Sequence, residues 1–279
     1  MYPTLSVLTG FFIAVMIAVN GVLTTTAGVY PAAVLIHLGG LVTITVILLF
    51  RKDNPFSHRQ NWWLYLGGAI GMIPTVANNI AFSYISVSAM LAAELFGQSA
   101  FGFLIDQFGW FGVKKDPITP RKILGLLLVI AGIAVMVMMG GARMLGIVLS
   151  AIAGVALMLQ RIVNGHLAEK TNVWVSTMWT YITGLSCAII VLFATGTAPT
   201  FTFHIPPYLY LGGTLGVVCV TLSSVVVDKV PQFTLSLLMF VGQVFTALVL
   251  DALFSGSFSL PNLIGGMAAL AGLWVSGSH

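Results

Sequence analysis

Long apolar runs separated by short polar or charged connections extend along the whole chain. Each run is long enough to form an α-helix of about 20 residues, the length that crosses a bilayer. The runs lack the apolar–polar alternation that is typical of a membrane β-barrel. The pattern therefore predicts an all-α membrane protein with ten transmembrane helices. The predicted spans are residues 5–24, 30–50, 62–83, 88–108, 121–140, 144–163, 174–194, 207–227, 233–253 and 260–276.

The composition agrees with a protein that is solvated by lipid. Only 6% of the 279 residues are charged and 58% are hydrophobic, whereas soluble domains have about 25% charged residues. The net charge of +4 is explained by basic cytoplasmic connections, so no nucleic-acid partner is predicted. Cys187 and Cys219 lie inside apolar runs without metal-ligand spacing, and neither a metal nor another cofactor is predicted.

The distribution of basic residues predicts the orientation of the helices. If the N-terminus is cytoplasmic, ten of the eleven Lys and Arg residues fall on the cytoplasmic side, and only Arg143 falls on the other side. Cytoplasmic connections carry an excess of basic residues, so both termini are predicted to be cytoplasmic. Because no Lys or Arg precedes Arg51, the first run is predicted to be a retained helix rather than a cleaved signal peptide.

The two halves of the chain share polar and glycine landmarks at a shift of 144–145 residues. The landmarks include Val19-Asn20-Gly21 with Val163-Asn164-Gly165, Tyr65 to Gly68 with Tyr210 to Gly213, and Gly97-Gln98 with Gly242-Gln243. Five helices per half would place the second half upside down in the membrane, as in many transporters with alternating access. The predicted units are residues 1–142 and 143–276, with residues 277–279 as a cloning remnant.

A set of motifs in the first half resembles a known family. Residues 94–98 read Glu-Leu-Phe-Gly-Gln, residues 106–112 read Asp-Gln-Phe-Gly-Trp-Phe-Gly, and Arg121 precedes Gly125 by four positions. This pattern resembles the YdcZ-type inner-membrane exporters of the drug/metabolite transporter superfamily. The second half resembles a diverged, fused copy, because it keeps Gly242-Gln243 and Asp251 but lacks the other glycines and the arginine.

The resemblance implies a bacterial inner membrane, an inverted five-plus-five architecture and transport of a small molecule. It names no cargo. The partners predicted with it are a small-molecule substrate, a proton or another coupling ion, and membrane lipid. The oligomeric state is left open between a monomer and a homodimer.

Ionisable groups at membrane depth are candidates for the transport chemistry, because burying an unpaired charge there is costly. Glu94 is the only carboxylate well inside a predicted span, and its repeat counterpart is Met239. We expect it to hold a proton and a cationic cargo in turn, and the alternative is a structural role as a protonated carboxyl group that is hydrogen-bonded to a neighbouring helix. His37 is predicted to lie at a similar depth and to share that proton, although a packing role is the alternative.

Amides and aromatic side chains complete the set of candidates. Gln98 lies one helical turn beyond Glu94 and its counterpart is Gln243, so both amides are predicted to line a cavity or to join helices. Asn78 and Asn79 follow Pro74, whose missing N–H can leave carbonyl groups free for a ligand. The remaining candidates for contact with the cargo are Trp179 and Tyr181.

Three other charged groups are predicted to have structural roles. Asp106 and Asp251 are expected to anchor the ends of their helices. Arg161 is placed near the inner end of the sixth span, from where it is expected to extend to the lipid headgroups and to lie too far from Glu94 to neutralise it.

These observations predict a secondary active transporter, with proton-coupled export of a small polar or cationic metabolite as the leading hypothesis. No Walker motif is present, so the energy would come from an ion gradient. The alternative is a passive facilitator or channel that uses the same cavity. A membrane-embedded enzyme is not expected, because the second catalytic group that such an enzyme needs is missing.

Overall fold

A computed structural model describes residues 1–57, 59–81, 84–85, 87–139, 143–197, 206–254 and 260–277. Within these ranges the chain forms ten α-helices and no strand. The helices are α1 (Tyr2–Ala27), α2 (Val29–Arg51), α3 (Gly67–Ala81), α4 (Val87–Phe108), α5 (Pro120–Met139), α6 (Met144–Lys170), α7 (Val173–Ala194), α8 (Leu211–Val226), α9 (Gln232–Phe254) and α10 (Leu260–Gly277). The all-helical prediction is confirmed.

Six helical segments of the described chain are long and apolar enough to cross a membrane. They comprise α1, α2, α6, α7, α9, and α8 together with the short 3₁₀-helix that precedes it. That the other helices also cross the membrane stays a prediction.

Local sequence explains several helix boundaries. Gly28 adopts a φ of 87°, a backbone conformation that favours glycine, and this allows the tight turn between α1 and α2. The side chain of Asn172 caps α7 by accepting hydrogen bonds from the backbone N–H groups of Trp174 and Val175. Residues 62–66 form a 3₁₀-helix in place of the first turn of the predicted third span.

The helix α6 is longer than predicted and ends at Lys170 rather than at residue 163. The polar residue Asn164, just beyond the predicted end, stays inside the helix because α7 satisfies its hydrogen-bonding groups. The side-chain oxygen of Asn164 accepts a hydrogen bond from Thr180, and its backbone carbonyl accepts one from Ser176. This extension changes the position of Arg161, which lies nine residues before the end of the helix.

Helices of the first half pack mainly on helices of the second half. The contacts are reciprocal, because α3 and α4 pack on α6 while α8 and α9 pack on α1. In addition α2 packs on α7, α4 on α9, and α5 on α10.

Glycines allow the closest of these approaches. At Gly154 a Cβ atom would overlap the carbonyl oxygen of Glu94, and at Gly10, 144 positions earlier, it would overlap that of Met239. Gly97 and Gly242 make the same kind of approach to α6 and α1, respectively. The four crossings therefore form two equivalent pairs, as small residues at helix interfaces permit.

Asp106 joins the end of α4 to the start of α9. Its carboxylate oxygens accept hydrogen bonds from the backbone N–H groups of Gln232 and Phe233, both at 2.9 Å. The side chain is 4% exposed. These two N–H groups begin a helix and have no partner within it, so Asp106 acts as their cap, in agreement with its expected role as an anchor. The side chain of Asp251 lies outside the described residues.

Candidate functional site

Four polar side chains meet in the interior, where α3 and α4 of the first half face α6 of the second. Asn78 donates a hydrogen bond from Nδ2 to Oε2 of Glu94 at 2.8 Å. Gln98 donates from Nε2 to Oε1 of Glu94 at 3.2 Å, and its own Oε1 accepts from Nη1 of Arg161 at 2.6 Å. We call these four residues the Glu94 cluster.

Backbone packing fixes the position of this cluster. Glu94 and Gln98 are separated by one helical turn, so they share a face of α4. That face touches α6 at Gly154, where the missing side chain lets the two backbones approach. Arg161 lies two turns further along α6 and extends to Gln98.

The cluster places two charged groups of opposite sign out of contact with water. Glu94, Gln98 and Arg161 are each between 4% and 7% exposed. The two charged side chains do not pair directly, and the amide of Gln98 bridges them. Buried charges persist only where hydrogen bonds and an opposite charge compensate for lost hydration, and this arrangement supplies both.

The predicted role of Arg161 is therefore wrong. It does not extend to the lipid headgroups but points into the interior, because α6 continues beyond residue 163 and carries Arg161 away from the helix end. A signal for this role was present in the repeat. The counterparts of Glu94 and Arg161 are Met239 and Ile17, so both charges occur where the other half is apolar.

Of the two asparagines that follow Pro74, the structure describes the side chain of Asn78 alone. Asn78 belongs to the cluster, and its Oδ1 atom is buried without a hydrogen-bond partner among the described groups. The side chain of Asn79 lies outside the described residues.

Gln243 occupies a separate place, as a lining residue of a cavity of about 140 Å³ between α1, α4 and α9. The counterpart of Arg161 in this cavity is Ile17, and the counterpart of Met158 is the smaller Ala14. Gln243 therefore faces space where Gln98 meets a guanidinium group. The described lining residues are Ala14, Ile17, Ala18, Leu91, Gln243, Ala247 and Leu250.

His37 and Tyr181 lie together at the contact between α2 and α7. Nδ1 of His37 is 2.8 Å from the carbonyl oxygen of Ala33, and its ring centroid lies 5.9 Å from that of Tyr181. The hydroxyl group of Tyr181 donates a hydrogen bond to the carbonyl oxygen of Gly213. Neither side chain takes part in the described hydrogen bonds of the Glu94 cluster, so the structure gives no route for the predicted sharing of a proton between His37 and Glu94.

Trp179 packs against the connection between α2 and α3. Its indole nitrogen donates a hydrogen bond to the carbonyl oxygen of Pro55 at 3.1 Å, and its ring centroid lies 4.5 Å from that of Tyr65. The structure thus places Trp179 at this connection and does not bring it to the Glu94 cluster.

The fold and the cluster together define a class: an α-helical membrane protein with several candidate spans and a buried cluster of polar side chains. A family model described as "Putative inner membrane exporter, YdcZ" matches residues 1–135 and again residues 145–275. The chain belongs to this family, which supports a role as a transporter in an inner membrane. Both segments of the chain match, so the second half is a member of the same family as the first.

A comparison with solved structures shows that the fold of the chain occurs in another protein. A solved structure titled "Crystal structure of protein" is similar to the chain with a TM-score of 0.69 and 16% sequence identity, over 99% of this chain and 95% of that one. At this identity the similarity shows the fold alone. No curated protein matches the chain.

Proposed function

We propose that the chain is a secondary active transporter that exports a small polar or cationic metabolite across a bacterial inner membrane. In this proposal two inverted five-helix halves expose a central site to each side in turn, and a proton binds at Glu94 in exchange for the cargo. The proposal is for a transporter and not for an enzyme.

The observation that carries the proposal is that Gln98 bridges two buried ionisable side chains, one from each half of the chain. Glu94 lies on α4 of the first half and Arg161 on α6 of the second, and Gln98 joins them in the interior. Transporters with inverted repeats bind substrates and coupling ions at the interface between the repeats. Intramembrane ionisable groups mark such pathways.

Reciprocal packing supports alternating access. The approach of Gly154 to Glu94 and that of Gly10 to Met239 are equivalent under the 144–145 residue shift. Two halves with equivalent contacts can exchange conformations, which opens the site first to one side and then to the other. The two matches of the family model agree with this division.

Transport by the purified protein in liposomes tests this function. Labelled amino acids, amines and nucleobases are offered with and without an imposed pH gradient, and Glu94→Gln is compared with Glu169→Gln. Glu169 is an exposed carboxylate at the end of α6, so it serves as a matched control. We expect the pH gradient to drive flux in the native protein and in Glu169→Gln, but not in Glu94→Gln.

Flux that ignores the pH gradient and persists in Glu94→Gln would contradict proton coupling. That result would favour the passive facilitator. Flux of none of these solutes, in protein that retains its fold, would contradict the proposed cargo class.

A further inference from the structure

The amide of Gln98 presents two different groups to its two charged neighbours. Its carbonyl oxygen accepts from the guanidinium of Arg161, and its NH₂ group donates to the carboxylate of Glu94. An α-amino acid has the same order of groups, with a carboxylate acceptor and an ammonium donor on neighbouring carbon atoms. The bridge that Gln98 forms therefore has the polarity of a bound zwitterion.

The cluster also has unused hydrogen-bonding capacity at both of its ends. Arginine has five N–H donors, and with the described residues the Arg161 side chain forms one hydrogen bond, through Nη1 to Gln98. At the other end, Oδ1 of Asn78 is buried and has no partner among the described groups. An unsatisfied buried polar atom is costly, so both ends can gain by binding a ligand that offers an acceptor to Arg161 and a donor near Asn78.

Charge balance selects the class of ligand. Glu94 and Arg161 are both buried and of opposite sign, so the cluster's own side chains have no net charge when both are ionised. A cation alone would leave one uncompensated positive charge, and an anion alone would leave one negative charge. A zwitterion leaves the balance unchanged, which matters because uncompensated charge is expensive in this environment.

We propose that the Glu94 cluster binds a zwitterionic α-amino acid, whose carboxylate pairs with Arg161 and whose ammonium group pairs with Glu94 and Asn78 in place of the Gln98 bridge. This inference rests on the proposed function and narrows its cargo class. Arg161, whose counterpart in the first half of the repeat is the apolar Ile17, supplies the selectivity for a carboxylate.

The electrical character of exchange follows from the same charges. A proton on Glu94 and the ammonium group of the cargo compete for one carboxylate. The cargo-loaded cluster is neutral, whereas the proton-loaded cluster carries the positive charge of Arg161. Exchange of one proton for one amino acid is therefore expected to respond to the membrane potential as well as to the pH gradient.

A binding measurement on the native protein in detergent tests the ligand class without requiring transport. Thermal stability is followed with L-alanine, L-leucine and L-phenylalanine, and with the amine and the carboxylic acid that correspond to each. A ligand that binds only the folded protein raises its stability in proportion to the logarithm of its concentration. We expect one or more of the amino acids to stabilise the protein. The matched amine and acid should bind at least about tenfold more weakly than the amino acid, since each lacks one charge-assisted contact.

Conservative variants then assign the carboxylate contact. Arg161→Lys keeps the charge but loses the planar fork that pairs with a carboxylate, so we expect the dissociation constant of the amino acid to rise about tenfold or more. Arg143→Lys makes the same change at an exposed position before α6 and is expected to leave binding unchanged. The comparison of amino acid, amine and acid uses the native chain, so the test holds even if Arg161→Lys does not fold.

Three results would overturn the inference: no stabilisation by any of the amino acids, equal binding of an amine or acid, or unchanged affinity in folded Arg161→Lys. Failure here is distinct from failure of the proposed function. Driven flux of an amine without amino acid binding would leave proton-coupled export standing and refute the zwitterion. Amino acid binding with flux that ignores pH would support the zwitterion and refute the proton coupling.

Discussion

Removing the carboxylate of Asp106 should loosen the contact between α4 and α9 more than its small size suggests. Asp106 accepts two backbone hydrogen bonds, each 2.9 Å long, from the first residues of α9. The carboxylate is buried, so water cannot replace it. In Asp106→Ala two N–H groups at the helix start are left without partners.

The magnitude follows from these two bonds. A hydrogen bond to a charged group contributes about 1.5–3 kcal/mol, and loss of a helix cap costs about 0.5–2 kcal/mol. These contributions overlap, so we expect Asp106→Ala to lose about 2–4 kcal/mol of stability. Asp106→Asn keeps one acceptor oxygen and should lose about half as much.

Thermal unfolding in detergent measures this effect. For a chain of this size, 1 kcal/mol corresponds to roughly 2–4 °C in Tm, so we expect a fall of about 4–16 °C for Asp106→Ala. The matched control is Asp53→Asn, whose partly exposed side chain pairs with Arg51 at the end of α2. A surface pair contributes about 0–1 kcal/mol, so the control should stay within about 4 °C of the native protein.

Equal Tm values for Asp106→Ala and the native chain would refute this reasoning. That result would mean that the start of α9 is not held by the carboxylate of Asp106. A fall in Asp53→Asn as large as that in Asp106→Ala would also contradict it, because the effect would then follow the loss of any carboxylate charge rather than the loss of the buried cap.

Two further predictions concern packing and pH. Gly154→Ala should lower Tm, because the added methyl group forces α4 and α6 apart at a cost of about 1–3 kcal/mol or more. Gly21→Ala is the control, because a methyl group at that position meets no neighbouring atom and should be neutral or stabilising. Equal changes in Tm for the two variants would contradict the close crossing of α4 and α6. In the connection between α8 and α9, burial and then the nearby carboxylate of Glu169 raise the pKa of Asp228. Ionisation of Asp228 therefore disfavours folding, so Asp228→Asn should have a higher Tm than the native protein at neutral pH. This gain in Tm should vanish below the ordinary pKa of an aspartate, where the native side chain is protonated in both the folded and the unfolded state. A gain in Tm that does not depend on pH would contradict the raised pKa.

The positions of the helices were predictable because unbroken apolar runs report them directly. The described helices fall where the runs lie, and the error at the end of α6 has a tertiary cause. Residues beyond 163 are polar, which normally ends a span, but Ser176 and Thr180 of α7 hydrogen-bond to Asn164 and keep that turn buried. A pattern read along one helix contains no information about such a partner.

The candidate site was predictable only where it depends on neighbours within one helix. Glu94 and Gln98 share a face through helical spacing alone, and the structure joins them as that spacing predicts. The contact of Gln98 with Arg161 depends on how α6 crosses α4, which the sequence does not encode locally. The position of His37 likewise depends on how helices cross. A similar predicted depth in the membrane does not determine which neighbouring helix a side chain contacts, and His37 lies beside Tyr181 of α7.

In the proposed transport cycle, Glu94 gives up a proton when the cargo binds. Proton release on cargo binding in a weakly buffered detergent solution tests it most directly, with the amino acid that stabilises the protein most as the ligand. We expect release of up to one proton per chain from the native protein and from Glu169→Gln at mildly acidic pH, and none from Glu94→Gln. Undiminished release from Glu94→Gln, or binding to the native protein without release at both neutral and mildly acidic pH, would contradict the claim.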